Sequence, residues 1–520
     1  MTYDIVLFTD STVGTWRMRP YGAYRLASEL RDKGYSVKVV DWTCTIFQDY
    51  QLCAKLFKSL IGPNTLFAGF SSAHFHRKLV KTDQFDHYND YYDARGYDDY
   101  CYPADLKRFE ILVSQMKRYN PNLKIAYGGG YTHRNVKLSP VIDYIVYGLA
   151  DTTIVELASH LKNKTPLKWT PGPHPKQKLI IHDELGLSFD FPNSLTRYAP
   201  EDHIRQGEAL CLETSRGCMF KCKFCCYILL GRKTTDPKYH KEFDVLVQEL
   251  KHNWENYKVN RYWMVDDTFN ETTEKLKMIS DAIKAAGVPD FKFFAYLRLD
   301  LIKKHPEQIA LLKEMGLQAA YFGIETLHDP TLKLIGKPMK SAEVKKFLKE
   351  LKMHWAGQVN IHAALILGLP YETPEIVKET LAWFEDPDCP VDSYGPHVLN
   401  LNESAPSIFG KNAEKFGYKI LPSLPDQFDG GNIDAEWDNG IWTREECRKL
   451  VIKAAEEKFY SRRGVTSSWE TIGLQNSGYK FEDIYRKPRL DFNRLEKLAI
   501  LEKQFDNYIN ELCEYEGIER

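Results

Sequence analysis

At 520 residues the chain is too long for one ordinary core, and 43% hydrophobic and 27% charged residues describe a globular protein of two or three domains. A formal net charge of −1 leaves no electrostatic footprint for nucleic acid or an acidic membrane. No apolar run reaches transmembrane length, the start MTYDIVLFTDS lacks a secretory signal, and six of the cysteines (Cys44, Cys53, Cys101, Cys389, Cys447, Cys513) are scattered; a reducing, cytoplasmic setting is expected.

Residues 1–165 alternate short apolar strands with helices, the rhythm of a doubly wound Rossmann-like domain. The strands are YDIVLF, SVKVVDW, TLFAGFSS, KIAYGGG and DYIVYG, and the helix GAYRLASELRDKGY ends on Gly34 as its C′ residue. The Tyr- and Asp-rich excursion DQFDHYNDYYDARGYDDYCYP reads equally as a solvated loop or a lid. Residues 166–204, rich in Pro and polar groups, read as a linker.

From 205 to 410 a second β/α series begins, with strands ALCLET, RYWMVDD, FKFFAYLR, QAAYFGIE, VNIHAALILG and DSYGPHVLNL. Six such units predict a partial (β/α)6 barrel, whose chemistry belongs at the C-terminal ends of the strands. Residues 411–520 lose this rhythm and are expected to form a mainly helical substrate or capping domain; Thr443-x-x-Glu446 is a capping box.

CLETSRGCMFKCKFC follows the first barrel strand and holds Cys218, Cys222 and Cys225 as C-x3-C-x2-C. Buried core cysteines do not explain fixed spacing beside Arg216, Lys221 and Lys223. A structural zinc site needs a fourth ligand and usually a second pair, and Cys226 adjoins Cys225 too closely to serve easily. A [4Fe–4S] cluster on three cysteines leaves one iron open to a substrate or cofactor, and the missing fourth cysteine favours that reading.

The motif, with Phe224 before its third cysteine, resembles the signature of radical S-adenosylmethionine (SAM) enzymes, as do VDDTF, YLRLDLI, FGIETLHDPTLKLIGK and LILGLPYETPE. The resemblance implies that Cys218, Cys222 and Cys225 hold a [4Fe–4S] cluster whose open iron chelates SAM, with a flavodoxin- or ferredoxin-type electron donor. Asp266 and Asp267 suit the SAM amine, although Asp267 reads equally as a helix N-cap. Arg298 suits the carboxylate as a bidentate donor, and Glu325 faces the pocket or pairs with Arg298. Phe224, Ile366 and Gly368 would flank the adenine.

The first 165 residues resemble the cobalamin-binding domain that precedes many such enzymes. That likeness places a corrinoid between Asp10, Thr12 and Gly14 on one side and Gly128, Gly129 and Gly130 on the other. Thr12 stands where a histidine lower ligand would be. His74 and His76 read as surface histidines rather than replacements. The implied activity is cobalamin-dependent radical methyl transfer to a small molecule or peptide. Alternatives are a radical SAM enzyme without cobalamin, a methylthiotransferase (for which the N-terminal cysteines lack cluster spacing) and a non-catalytic iron–sulfur sensor. Asn400, Asn402 and Glu403, after the sixth barrel strand, are expected to shape the substrate pocket.

Overall fold

The computed structural model describes residues 2–71, 106–129, 139–401, 407–421, 435–456 and 494–520, except 11, 14, 15, 48, 187, 188 and 228, together with 475, 476, 478, 480 and 481. The Tyr/Asp-rich excursion, His74, His76, Gly14, Gly130, Asn402 and Glu403 lie outside the described residues.

The N-terminal domain is built from β1 (Ile5–Phe8), β2 (Thr12–Val13), β3 (Trp16–Arg17), β4 (Val37–Val40), β5 (Phe67–Ser71), β6 (Lys124–Gly128), β7 (Tyr144–Tyr147), β8 (Thr170–Pro171) and β9 (Lys178–Ile181). Its seven-stranded sheet runs β4-β1-β5-β6-β7-β9-β8, parallel throughout except for β8. All five expected strands are present. Strand order reverses between β1 and β5, which puts the Asp10 loop at the crevice where open parallel sheets take ligands.

Two expectations need correction. Residues 166–204 are more than a linker: the run KLII becomes β9, a sixth parallel strand against β7, and β8 folds back on it. The C-terminal residues also divide between two bodies. Trp437, Trp442 and Cys447 pack at the barrel mouth, whereas the helix Arg494–Glu516 buries Phe505, Tyr508, Ile509 and Leu512 against the N-terminal core beside Trp42. Polar contacts seal that second dock: the Tyr508 hydroxyl accepts from the Asp41 amide at 2.8 Å, and Lys38 pairs with Glu516 at 3.3 Å.

The six expected barrel strands all form. They are β10 (Leu210–Leu212), β11 (Arg261–Met264), β12 (Lys292–Leu297), β13 (Leu317–Glu325), β14 (Asn360–Leu367) and β15 (Ser393–Val398), parallel and in sequence order. Outward-facing Leu212, Met264, Phe293, Ala295 and Phe322 are buried under helices such as Phe243–Tyr257 and Thr273–Ala286. The Thr443–Glu446 capping box forms reciprocally, with bonds of 2.7 and 3.2 Å.

The N-terminal domain lies along β10, the barrel's open edge. The Cys211 thiol donates to the Arg19 carbonyl at 3.4 Å, and Arg19 pairs with Glu208 at 2.9 Å in full burial. Arg216 makes a bidentate bond to Asp151, at the start of the helix Asp151–Asn163, at 2.7 and 2.9 Å. The segment after β1 thus touches the barrel wall that leads to the cysteine loop. Among the described residues no helix is long and apolar enough to cross a membrane.

Candidate active site

The cysteines sit on the loop after β10, which closes on itself: the Cys218 amide donates to Leu229 O at 2.8 Å and Gly231 returns a bond to Cys218 O at 2.7 Å. Its outer side is clamped by Phe409 N and Ser407 Oγ, which donate to Lys223 O at 2.9 and 3.1 Å. Cys218 is buried, Cys222 and Cys225 are partly accessible and Cys226 is exposed. Cys218 and Cys225 each lie within electrostatic reach of Cys222. Burial raises both thiols, Cys225 to about 12, so a bound metal must displace their protons. Among the described residues no three His, Cys, Asp or Glu side chains gather around a point where one metal ion would fit.

Beneath the loop is a buried ion network. Asp266 accepts from the Thr214 amide at 2.7 Å, from the Thr214 and Ser215 hydroxyls and from Lys275 at 2.7 Å. Lys275 also reaches Glu271 at 3.3 Å, and Arg232 pairs with the same carboxylate. Thr268 Oγ1 lies 3.0 Å from Cys218 Sγ and ties the network to the first cysteine. Asp266 is therefore committed to Lys275 and the loop, a correction to its assignment to the SAM amine. Asp267 faces the mouth, where burial, then Asp266 and Glu213, push its carboxyl up to about 7. It caps no helix; Thr272 caps Thr273–Ala286 by accepting from Lys275 N at 3.1 Å.

Arg298 is also engaged. Its guanidinium forks onto Asp300 at 2.9 and 3.1 Å, stacks 3.6 Å from the Phe220 ring centroid and donates to Cys222 Sγ at 3.4 Å. Glu325 pairs with Lys337 at 3.1 Å, not with Arg298, and stands at φ +69° where the β13–β14 register shifts. Lys337 lies 5.9 Å from the Phe224 ring centroid, and Phe224 and Ile366 both border one apolar cluster.

Gly368 does not offer an open face. A Cβ there would meet Trp437 Cη2 at 2.2 Å, and its carbonyl accepts from Tyr418 OH at 2.7 Å. The C-terminal segment covers Gly368 itself. Gly128 is small because Val146 crowds it at 3.0 Å, a sheet-packing reason and not a ligand one. Gly129 has φ +133°, a conformation side chains rarely adopt. Asp10 is buried at the end of β1, and Thr12 begins the short β2.

Sequence reasoning missed Tyr227, whose ionisable neighbours are Tyr296, Asp267, Cys225 and Tyr321. It also missed Thr268, Lys275 and Lys337. The inward alternation of Trp263, Tyr296, Tyr321 and His362 was the available signal for the barrel interior.

Residues 212–384 match the Radical SAM superfamily. An uncharacterized methyltransferase of Pyrococcus horikoshii is 28% identical over 287 residues, 51% of this chain and 58% of that protein. The anaerobic magnesium-protoporphyrin IX monomethyl ester cyclase of Synechocystis is 23% identical over 45% of this chain and 48% of its own. The chain thus spans about half the length of these curated relatives. The radical SAM methyltransferase TsrM from Kitasatospora setae superposes with a TM-score of 0.64 at 15% identity, over 97% of this chain and 100% of that one. The cobalamin-dependent radical SAM enzyme OxsB gives 0.52 at 15% identity, over 79% of this chain and 56% of that one. At such identities the likeness establishes a shared fold.

Proposed function

From the match of residues 212–384 to the Radical SAM superfamily we propose that this chain is a cobalamin-dependent radical SAM methyltransferase. The observation that carries the proposal is that the N-terminal domain docks on the open barrel edge β10, through Arg19 with Glu208 and Arg216 with Asp151, on the strand that leads into the three-cysteine loop. When bound, a [4Fe–4S] cluster supplies the electron for reductive SAM cleavage and a methylated corrinoid supplies the methyl group.

Cys218, Cys222 and Cys225 would hold the cluster, and Arg298 would steady Cys222 from outside. Asp267 is the carboxyl placed to meet the SAM amine, while Phe224 and Ile366 form an apolar flank for the adenine. Asp10, Thr12 and Gly129 lie on the sheet edge proposed for the corrinoid, with no histidine at position 12 to reach the cobalt. The fold shared with TsrM and OxsB supports this placement, as do the relatives named methyltransferases.

The test is anaerobic reconstitution with iron, sulfide and cobalamin. A visible spectrum of cluster plus base-off, His-off corrinoid is expected, with 5′-deoxyadenosine formed from SAM on reduction. Deoxyadenosine without bound corrinoid would leave a radical SAM enzyme whose N-terminal domain binds substrate or a partner instead.

A further inference from the structure

We propose that the barrel interior, one residue layer below the cysteine loop, is a slot for a planar aromatic substrate that is uncharged or cationic; its placement beside the reacting groups rests on the function proposed above. The parallel register puts inward side chains in rows about 6.6–6.8 Å apart along the strands. Cys211, Trp263, Phe294 and Ala319 form the lower row, and Tyr296, Tyr321 and His362 the next. Met18, from the segment after β3, closes the floor against Cys211, Phe294 and Ala319, all buried.

Above that floor the packing opens. Val265, Tyr296 and Tyr321 point into the barrel yet keep accessible surface, as do Asp267, Gly323 and Ile366 in the layers above. Inward residues of a filled barrel should be as buried as Cys211, Phe294 and Ala319. The aromatic part of that surface belongs to rings set at angles to one another: Trp263 and Tyr296 centroids are 6.2 Å apart at 57°, and Tyr296 and Tyr321 meet edge to face, 4.8 Å apart at 74°. Tyr321 lies 4.6 Å from the His362 ring, with its hydroxyl 3.3 Å from His397 Nε2. Tyr227, 48% exposed, reaches in from the cysteine loop. Such a wall offers ring faces and edges to another ring.

The charges exclude an anion. Arg298 is held by Asp300 and Cys222, Lys337 by Glu325, and Arg216 by Asp151 and Glu213. Burial depresses His362 to about 3 and His397 to about 4, so both imidazoles are neutral at pH 7. Glu213 is spent on Arg216, and Asp267 is the rim carboxyl that suits a ring N–H, hydroxyl or cation.

Full-length protein with reconstituted cluster and no reductant would be titrated with 2-naphthol, decahydro-2-naphthol and 2-naphthoate by saturation-transfer NMR. We expect saturable binding of 2-naphthol, with the saturated and anionic probes weaker by about tenfold, consistent with aromatic contacts and an unpaired charge. Tyr321→Leu and Tyr296→Leu should each lose about tenfold in affinity, and Tyr321→Phe should retain it. Equal binding of all three probes, or unchanged affinity in both Leu variants, overturns the slot. Iron content in the same samples separates the two proposals: full cluster with no naphthol binding defeats the slot alone, whereas naphthol binding without cluster defeats the radical SAM assignment alone.

Discussion

The two walls of the barrel mouth differ in kind. On the β10–β12 side, Asp266, Glu271, Lys275 and Arg232 form a buried ionic lattice that fixes the cysteine loop. On the β13–β15 side, Phe224, Ile366 and Leu367 meet Trp437 and Tyr418 from the C-terminal segment in an apolar cluster. Directional bonds between buried charges tolerate little change, because removing one partner strands the other in low dielectric. Apolar packing tolerates repacking if volume is kept. The wall that holds the cluster loop is thus the rigid one, and the wall facing the expected adenine is the adaptable one.

The comparison breaks most visibly at the loop itself. Cys222→Ala should lose its iron and sulfide altogether, whereas Cys226→Ala and Cys211→Ala should keep them; colorimetric analysis decides. Next comes Lys275→Met, which strands Asp266 and Glu271 and should cost about 3–5 kcal/mol. Ile366→Leu on the opposite wall should cost under about 1.5 kcal/mol. Urea denaturation of the metal-free proteins measures both, and equal costs would erase the contrast. Arg298→Ala should move the cluster's midpoint potential negative by about 59 mV for a lost contribution of about 1.4 kcal/mol. An EPR-monitored redox titration reads it, and an unmoved potential would make Arg298 only a partner of Asp300.

A separate effect concerns pH on the apolar wall. Glu372 is buried, accepts from Thr326 and Trp442 through its carboxyl and carbonyl respectively, and leaves Oε2 without a donor among the described residues. Burial raises this carboxyl to about 8. The folded protein therefore binds a proton that the unfolded chain releases near pH 4, so this contribution is full below about pH 4 and lost as pH rises to 8. Glu372→Gln should flatten the fall in stability between pH 5 and 8, measured from denaturant midpoints. A slope identical to that of the original protein would show that Glu372 is ionised throughout.

Strands were legible wherever alternation was long, hence all six in the barrel and five in the N-terminal sheet. KLII was not, because four apolar residues amid Pro, His and Lys carry little periodic signal. The cysteine triad was legible because its spacing is local. The partners of Asp266, Arg298 and Glu325 were not, since each choice depends on geometry among loops. Spacing could suggest that Arg298 meets a carboxyl, but not that this would be Asp300, two residues on, and not Glu325.

The docking of Arg494–Glu516 on the N-terminal core makes the N-terminal domain a discontinuous folding unit. Residues 1–185 expressed as a fragment would bare the apolar face around Trp42 that Phe505, Ile509 and Leu512 cover. A corrinoid-binding assay on that fragment would then report aggregation, not cofactor affinity. Supplying residues 494–520 as a separate peptide should restore a monodisperse fragment.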